Sequence, residues 1–280
     1  KWKFYELPYH QQAANISVGD AIDEVGCRIK KAVERQMVAD VPVGAFLSGG
    51  LDSSSVSAIA QRIAGENRLQ CFTIGFKDSA LQQERWVDDL PYAQQVARHI
   101  GADLHTVYVE SSEMAGQLAK MIYHLEEPEA DPACINVLFI SHLARENGIK
   151  VLLSGAGGDD IFTGYRRHYA LMLEKYWAWM PEVIRRGIGD ISDIFSKSSS
   201  FGRRFSKAFR YAALNGDERL ISYFYWIDPD LLCGLYSREI KETLRSVSAH
   251  KPLLESLSSI PKNAHPLKRM LYLEGKHFLA

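Results

Sequence analysis

The sequence predicts an α/β protein in which a parallel sheet is flanked by helices and followed by a mainly helical carboxyl-terminal part. Short apolar runs rich in β-branched and aromatic residues alternate with longer segments whose apolar residues recur every three or four positions. Strands that alternate with helices pair in parallel, because each helix returns the chain to the same edge of the sheet. The alternation stops near residue 170. We therefore expect an α/β core with a helical lead-in over residues 1–170 and a mainly helical extension over residues 171–280.

The first half of the chain contains four predicted strands and the helices between them. Residues 1–16 show no clear period, and a helix is expected over roughly 20–38. The predicted strands are near residues 43–47, 69–76, 104–109 and 151–153. Further helices are expected directly after the first strand, from Pro91 to about Ile100, over 114–125, and from Asp131-Pro132 to Asn147.

The last third of the chain is expected to be helical, with helices over 217–227 and 229–244. Its large aromatic residues are interpreted as core side chains; they are Trp177, Trp179, Tyr223, Phe224 and Trp226. The basic run from Arg185 to Arg210 is interpreted as a solvated loop, and a grip for an anionic substrate or RNA is the alternative.

Composition limits the classes of partner and compartment. The 280 residues include 33 basic and 34 acidic side chains, for a net charge of −1, so nothing global favours nucleic acid or an anionic membrane as a partner. Without a membrane-length apolar run or a signal peptide, the sequence predicts a cytoplasmic protein. The four dispersed cysteines are expected to be reduced and buried; they are Cys27, Cys71, Cys134 and Cys233. Both ends are expected to be cuts in a longer protein, and a homodimer is one open arrangement.

One stretch joins a strand, a tight loop and a helix start with groups that bind phosphate. It is Ser48-Gly49-Gly50-Leu51-Asp52-Ser53-Ser54, and the strand before it ends in Phe46-Leu47. Paired glycines let the backbone approach a ligand, and the helix N-terminus and three hydroxyls attract an anion. Asp52 would repel a phosphate unless Mg²⁺ lay between them. The stretch therefore predicts a Mg-nucleotide site, and a turn that merely caps the helix is the alternative.

A second glycine-rich turn follows the fourth predicted strand. It is Ser154-Gly155-Ala156-Gly157-Gly158-Asp159-Asp160. Ligands bind at the carboxyl ends of parallel strands, so the two turns are expected to face each other. Asp52 and Asp159 would then share one Mg²⁺ on a pyrophosphate. The alternative is a plain turn in which Asp159 caps a helix.

These motifs resemble those of a known family. The SGGxDSS stretch at residues 48–54 is similar to the PP-loop of ATP pyrophosphatases, which cleave ATP between its α and β phosphates. Residues 154–165 resemble the SGEGxDExFxGY segment of glutamine-dependent asparagine synthetases. Residues 72–76 match that family's FxxGF strand, and Glu127-Pro128 with Asp131-Pro132 matches its EPxxDP segment. The similarity covers about residues 20–170 and implies an adenine nucleotide alpha hydrolase-like fold.

The resemblance implies a set of site residues. The pyrophosphate and its Mg²⁺ are assigned to Ser48, Gly49, Gly50, Asp52, Ser53 and Ser54, with Asp159 as the second metal ligand. The adenosine pocket is assigned to Phe46, Leu47 and Ile74, Gly75 is a further ATP-binding residue, and the AMP moiety is assigned to Ser154 and Gly155. The residues expected near the acceptor substrate are Ala156, Gly157, Asp160 and Tyr165.

The resemblance also implies an activity, which is ATP-dependent amide synthesis by a ligase that forms AMP and pyrophosphate. A small carboxylate, aspartate or an aspartate-like acid, would be adenylated, and ammonia from a glutaminase domain upstream would then form the amide. Ala156 stands where the family has a glutamate, so a different acid, such as a sugar acid or a peptide carboxylate, fits as well.

The family's later lysine-bearing segment is not in this sequence, so the chain alone is expected to bind ATP without forming amides efficiently. Two alternatives stay open: a lactam- or amide-forming synthetase that uses an amine of its own substrate, and a non-catalytic nucleotide-binding domain.

Overall fold

The computed structural model describes residues 6–10, 15–77, 89–126, 131, 133–195 and 200–279. The chain divides into two compact units, one of residues 15–156 and one of residues 1–14 with 157–280. The division expected after residue 170 follows the sequence pattern and stays a prediction.

The unit of residues 15–156 is a four-stranded parallel sheet with helices. Its elements are α1 (Val18–Gln36), β1 (Val43–Phe46), α2 (Leu51–Ala64), β2 (Gln70–Phe76), α3 (Leu90–Ile100), β3 (Asp103–Val109), α4 (Ser111–Gly116), α5 (Leu118–Leu125), α6 (Ala133–Glu146) and β4 (Val151–Leu153). The strand order is β3-β2-β1-β4, and every neighbouring pair is parallel. The predicted α/β class is confirmed.

Helices cover both faces of this sheet. On one face, Ala45 and Cys71 pack with Ala60 of α2 and Ala93 of α3. On the other face, Phe72 packs with α6 through Ile140 and Ala144. Because successive strand residues point to opposite faces, strands covered on both sides are nearly continuous apolar runs. This arrangement explains why the sequence of β2 contains so few polar residues.

The strand order places two loops side by side. β1 pairs with β2 on one side and with β4 on the other, and Ala45 lies opposite Leu153. The carboxyl ends of β1 and β4 are therefore neighbours. The chain itself continues from β1 through α2 to β2, which lies on the other side of β1. In open parallel sheets, ligands bind outside the carboxyl ends of strands at such a change of direction.

The unit of residues 1–14 and 157–280 is mainly helical, as predicted. It contains α7 (Gly158–Phe162), α8 (Arg166–Leu173), α9 (Glu182–Phe195), α10 (Ser200–Phe209), α11 (Gly216–Ser222), α12 (Pro229–Leu235), α13 (Arg238–Thr243), α14 (Lys251–Ser258), α15 (Pro266–His277), and short 3-10 turns at Pro8–His10, Glu174–Tyr176 and Leu244–Ser246. Its core combines α8, α11, α14 and α15 through Leu171, Leu220, Ile221, Leu257, Met270 and Leu273. Among the described residues, no helix has the length and apolarity needed to cross a bilayer.

Three predicted helices have different bounds in the structure. The helix expected over 114–125 is two helices, α4 and α5, which meet at Gln117. The helix expected over 217–227 ends at Ser222. The helix expected over 229–244 is interrupted after Leu235, because the hydroxyl of Ser237 accepts the N–H of Ile240 and begins α13.

The expected burial of several aromatic residues is also corrected. Tyr223 and Phe224 pack against the helical core, but Trp179 and Trp226 are 75% and 70% exposed. A three- or four-residue spacing shows that residues share a helix face, and it does not show whether that face is covered.

The basic run predicted as a loop forms α9 and α10 where it is described. Arg185 is only 6% exposed and donates hydrogen bonds to the carbonyl oxygens of Ala212 and Leu214.

Cys27 and Cys233 are exposed, contrary to the expectation that all four cysteines are buried. Parts of the sequence motifs lie outside the described residues: Glu127, Pro128 and Pro132, and Lys197, Ser198 and Ser199 of the basic run.

Candidate nucleotide site

The loop between β1 and α2 is closed by hydrogen bonds among its own residues. The N–H of Ser48 donates to Oγ of Ser53 at 3.3 Å, and the two hydroxyl oxygens are 2.9 Å apart. The Ser53 hydroxyl also donates to the carbonyl oxygen of Gly50 at 3.3 Å, and the N–H of Gly50 donates to Oγ of Ser48 at 3.3 Å. The Ser53 hydroxyl, predicted as a pyrophosphate ligand, therefore holds the loop in shape.

Helix α2 begins without a side-chain cap. Its N-cap is Gly50, so neither a serine nor an aspartate caps the helix as the alternative interpretation required. A helix start of this kind offers its first N–H groups to water or to an anion. Asp52 lies in the first turn, half-buried. Next to it, Oγ of Ser54 is buried with no hydrogen-bond partner in the described part of the chain, an unsatisfied group that fits a site for a polar ligand.

Gly49 is the point where this loop passes α3. Its φ is +81°, and a Cβ there would lie 2.5 Å from the backbone nitrogen of Ala93 and from Cβ of Tyr92. Any residue other than glycine would meet both a left-handed backbone and the start of α3. Gly49 therefore lets the loop pass α3, and Gly50 gives α2 an N-cap without a side chain.

The loop after β4 lies against the first turn of α2. A Cβ on Gly155 would lie 2.5 Å from the backbone nitrogen of Ser53 and 2.7 Å from the carbonyl carbon of Asp52. These are backbone atoms, so no side-chain rotation would relieve the clash. The turn itself is shaped by the N–H of Ala156, which donates to Oγ of Ser154 at 3.0 Å. The structure thus brings the turn of Ser154, Gly155 and Ala156 next to the start of α2.

The residues predicted to line an adenosine pocket lie on both faces of the sheet. Phe46 and Ile74 pack on the face that α6 covers. Leu47 is 1% exposed in the opposite core, so only its backbone is left to contact a nucleotide. Gly75 gives space to a neighbour, since a Cβ there would lie 2.9 Å from the ring of Tyr108.

The acidic end of the second motif belongs to the helical unit. Gly157, with φ +94°, is the N-cap of α7, which contains Asp159 and Asp160. Asp160 is 6% exposed and accepts a hydrogen bond from the Tyr165 hydroxyl at 3.1 Å, and Arg167 lies 3.9 Å from it. Burial, and then this hydrogen bond, raise the pKa of Tyr165 to about 12. Asp160 and Tyr165, both predicted near the substrate, therefore pair with each other.

The two predicted metal ligands belong to different units. Asp52 is in the unit of residues 15–156 and Asp159 is in the other, so their sharing of one Mg²⁺ stays a prediction. Within the described ranges, no group of three or more His, Cys, Asp or Glu side chains could hold a metal ion. Mg²⁺ in nucleotide sites is bound by one or two carboxylates, with phosphate oxygens and water as its other ligands, so two carboxylates suit it.

A buried ionic cluster next to the second motif was not predicted from the sequence. Glu274 of α15 is 0% exposed and accepts hydrogen bonds from Nε of Arg167 at 2.6 Å and Nε2 of His168 at 2.8 Å. The only local signal is that two charged residues, Arg269 and Glu274, interrupt the apolar residues of α15. Their partners cannot be found by spacing, because Glu274 is more than 100 residues from Arg167 and His168.

Comparison with known proteins defines the class to which this fold and these motifs belong. A sequence model described as asparagine synthase matches residues 24–280. The chain belongs to the asparagine synthase family, and the resemblance drawn from the motifs is confirmed at this level.

Individual relatives are similar at modest identity. The putative asparagine synthetase (glutamine-hydrolyzing) of Mycobacterium tuberculosis H37Rv is 29% identical over 252 residues, which are 90% of this chain and 36% of the relative. Asparagine synthetase (glutamine-hydrolyzing) 1 of Bacillus subtilis is 33% identical over 165 residues, which are 59% of this chain and 25% of the relative. This chain thus spans about a third of the length of the first of these relatives. Among solved structures, an NH3-dependent NAD synthetase from Campylobacter jejuni is 12% identical with a TM-score of 0.35, over 81% of this chain and 96% of that chain.

Proposed function

We propose that this chain binds Mg-ATP where its two glycine-rich turns meet, and that it activates a substrate carboxylate for amide formation. The observation that carries the proposal is the approach of Gly155 to the backbone of Asp52 and Ser53, which leaves no room for a side chain. The approach lies at the carboxyl ends of adjacent parallel strands, where ligands bind in such sheets. Membership of the asparagine synthase family supports ATP-dependent amidation as the reaction class.

The residues of the site have different roles in this proposal. Asp52 and Asp159 hold Mg²⁺, which neutralises phosphate charge when it is bound. The backbone N–H groups at the start of α2 and the Ser48 hydroxyl bind the pyrophosphate portion. Ser154 and Gly155 contact the AMP portion, and Phe46 and Ile74 supply the apolar wall for the adenosine.

The proposed chemistry needs no side-chain nucleophile. An oxygen of the substrate carboxylate attacks the α-phosphorus, and the bond to pyrophosphate breaks. Ammonia then attacks the adenylated carboxyl carbon, AMP leaves, and the amide forms. The protein contributes positioning and charge neutralisation, which supply most of the acceleration in such transfers. We propose a glutaminase domain of the full-length protein as the ammonia source, since the relatives are described as glutamine-hydrolyzing.

A nucleotide series tests the pyrophosphate portion of the site. With Mg²⁺ present, calorimetry on this chain is expected to give at least about tenfold tighter binding of ATP than of AMP, because only ATP reaches the loop after β1. Ser48→Ala is expected to weaken ATP and leave AMP unchanged. Ser55→Ala is the matched control, since the Ser55 hydroxyl bonds to the carbonyl of Leu51 within the helix. Equal affinity for ATP and AMP would contradict the proposal.

One observation favours an acceptor acid other than free aspartate. Ala156 stands beside the phosphate loop where the family has a glutamate, and its methyl group can accept no proton. Exchange of labelled pyrophosphate into ATP, screened over aspartate, sugar acids and peptide carboxylates, tests this second proposal. Exchange with aspartate alone would refute it. ATP binding without exchange on any acid would point to a nucleotide-binding domain without catalysis.

A further inference from the structure

Glu274 is a fully buried carboxylate that is held by two side chains of α8. Nε of Arg167 donates to Oε1 at 2.6 Å, and Nε2 of His168 lies 2.9 Å from Oε1 and 2.8 Å from Oε2. Glu274 is 0% exposed, and a buried carboxylate is costly unless hydrogen-bond donors surround it. The contacts with Arg167 and His168 therefore fix the position of its carboxylate.

The hydrogen bonds around His168 determine which ring nitrogen carries the proton. The N–H of Gly164 donates to Nδ1 at 3.2 Å, so Nδ1 is an acceptor and carries no hydrogen. Nε2 therefore carries the proton and donates it to Glu274. The ring is 4% exposed, and it links the buried carboxylate to the backbone of Gly164.

The Asp159 carboxylate lies against the backbone of Gly164. A Cβ at Gly164 would collide with Oδ1 of Asp159. The residue between this backbone and α7, Thr163, has φ +67°, an unfavourable conformation for a β-branched residue. Such a conformation persists only where the surroundings hold it, and the hydrogen bond from Gly164 to His168 is such a restraint.

We propose that His168, whose ring is held by the buried Glu274, is a positioning residue for Asp159, and that it acts through the backbone of Gly164. The inference rests on the proposed function, in which Asp159 holds Mg²⁺. A carboxylate held in one orientation binds a metal ion without first losing its freedom of rotation, and partners of metal ligands contribute about 10- to 100-fold to metal affinity. Neither residue contacts the metal or the nucleotide in this proposal.

Two substitutions of His168 separate positioning from packing. His168→Asn retains an acceptor near the position of Nδ1 for the Gly164 N–H but does not reach Glu274. His168→Gln reaches Glu274 but has no acceptor for Gly164. Each variant loses one buried hydrogen bond. His168→Asn loses the one to the charged Glu274 and is expected to have the lower midpoint of unfolding in urea, so a larger metal effect in His168→Gln cannot come from lost stability.

Only the glutamine variant is expected to change the metal dependence. In His168→Gln, the Mg²⁺ concentration for half-maximal ATP binding should rise about 10- to 100-fold, while in His168→Asn it should change much less. An unchanged Mg²⁺ requirement in His168→Gln would overturn the proposal, as would equal increases in both variants.

Hydrogen exchange provides a readout that needs no nucleotide. The Gly164 amide should exchange slowly in the unsubstituted chain and in His168→Asn, and much faster in His168→Gln. Equal exchange rates in all three proteins would refute the anchoring. If the unsubstituted chain binds no ATP, the proposed function fails, and the exchange rates then report separately whether His168 anchors the loop.

Discussion

The two segments that carry the proposed Mg²⁺ ligands are held in opposite ways. The loop after β1 is closed by hydrogen bonds between residues no more than five apart, such as Ser48 and Ser53. The segment that carries Asp159 continues into α8, where Arg167 and His168 contact Glu274. These two residues are 107 and 106 positions from Glu274 in the sequence. A short-range loop can be read from its own motif, whereas a segment held from another helix depends on the completed tertiary structure.

The same comparison separates the energies involved. The hydroxyl and backbone contacts of the first loop are neutral hydrogen bonds, each of which contributes about 0.5–1.5 kcal/mol. The contacts of Glu274 are buried and charged, and removal of one partner from such a pair costs about 3–5 kcal/mol. We therefore expect substitutions in the first loop to affect binding, and substitutions around Glu274 to affect stability as well.

The largest effect is expected for Glu274→Ala. The substitution leaves the buried His168 and the guanidinium of Arg167 without their acceptor, so the free energy of unfolding in urea should fall by about 3–5 kcal/mol. Glu242→Ala is the matched control, because Glu242 pairs with Arg238 on the surface with 64% of its side chain exposed. Its loss should cost less than about 1 kcal/mol. Equal losses in the two variants would show that the buried contacts of Glu274 stabilise the protein no more than an exposed ion pair does.

The next effect is expected for Gly155→Ala. The added methyl group meets backbone atoms of Asp52 and Ser53, so the two loops must move apart at a cost of about 1–3 kcal/mol. ATP affinity measured by calorimetry should fall about 10- to 100-fold. Gly26→Ala in α1, where nothing lies within 4 Å of an added Cβ, is the control and should leave affinity unchanged. An unaltered affinity in Gly155→Ala would show that the approach of the loops does not shape the site.

A smaller effect is expected for Ser53→Ala. The variant loses the acceptor of the Ser48 N–H and the donor to Gly50, so the free energy of unfolding should fall by about 1 kcal/mol. Thermal unfolding measures this difference, and ATP affinity should fall with it because the loop loses its shape. A stability loss as large as that of Glu274→Ala would mean that the first loop is not the weakly held one.

The smallest effect is a change of pH dependence expected for Tyr165→Phe in alkali, which is separate from the loss of the hydrogen bond to Asp160 at every pH. Burial and the hydrogen bond to Asp160 raise the pKa of Tyr165 to about 12 from 10.0, so the unfolded chain loses this proton first. Stability from this group is complete below pH 10 and is lost as pH rises toward 12. The phenylalanine variant should therefore lose stability less steeply between pH 10 and 12, by less than about 1 kcal/mol per pH unit. Identical slopes in urea unfolding would contradict this.

The sequence predicts the parts of the molecule that local patterns determine. The four strands follow from short apolar runs, and the loop at Ser48 follows from paired glycines between a strand and a helix. The helix start at Ser237 was not predicted, because a serine within an apolar-periodic segment also fits a continuous helix. The exposure of Trp226 escaped it too, since spacing does not show what covers a helix face.

In the candidate site, too, local patterns could be predicted from the sequence and tertiary contacts could not. The meeting of Gly155 with the start of α2 agrees with two turns at the carboxyl ends of parallel strands, which the alternation of strands and helices allows one to expect. The roles of Glu274 and His168 were beyond prediction, because a buried glutamate within α15 has no local pattern that identifies its partners. The pairing of Asp52 with Asp159 on one metal ion is still a prediction.

That pairing is tested most directly by calorimetric titration of ATP into the chain with and without Mg²⁺. The measurement compares the unsubstituted protein with Asp52→Ala and Asp159→Ala, and uses Asp230→Ala, an exposed aspartate of α12, as the control. The account predicts Mg²⁺-dependent binding that both site variants lose and the control retains. Mg²⁺-dependent binding that survives in either site variant would contradict a metal ion shared by the two carboxylates.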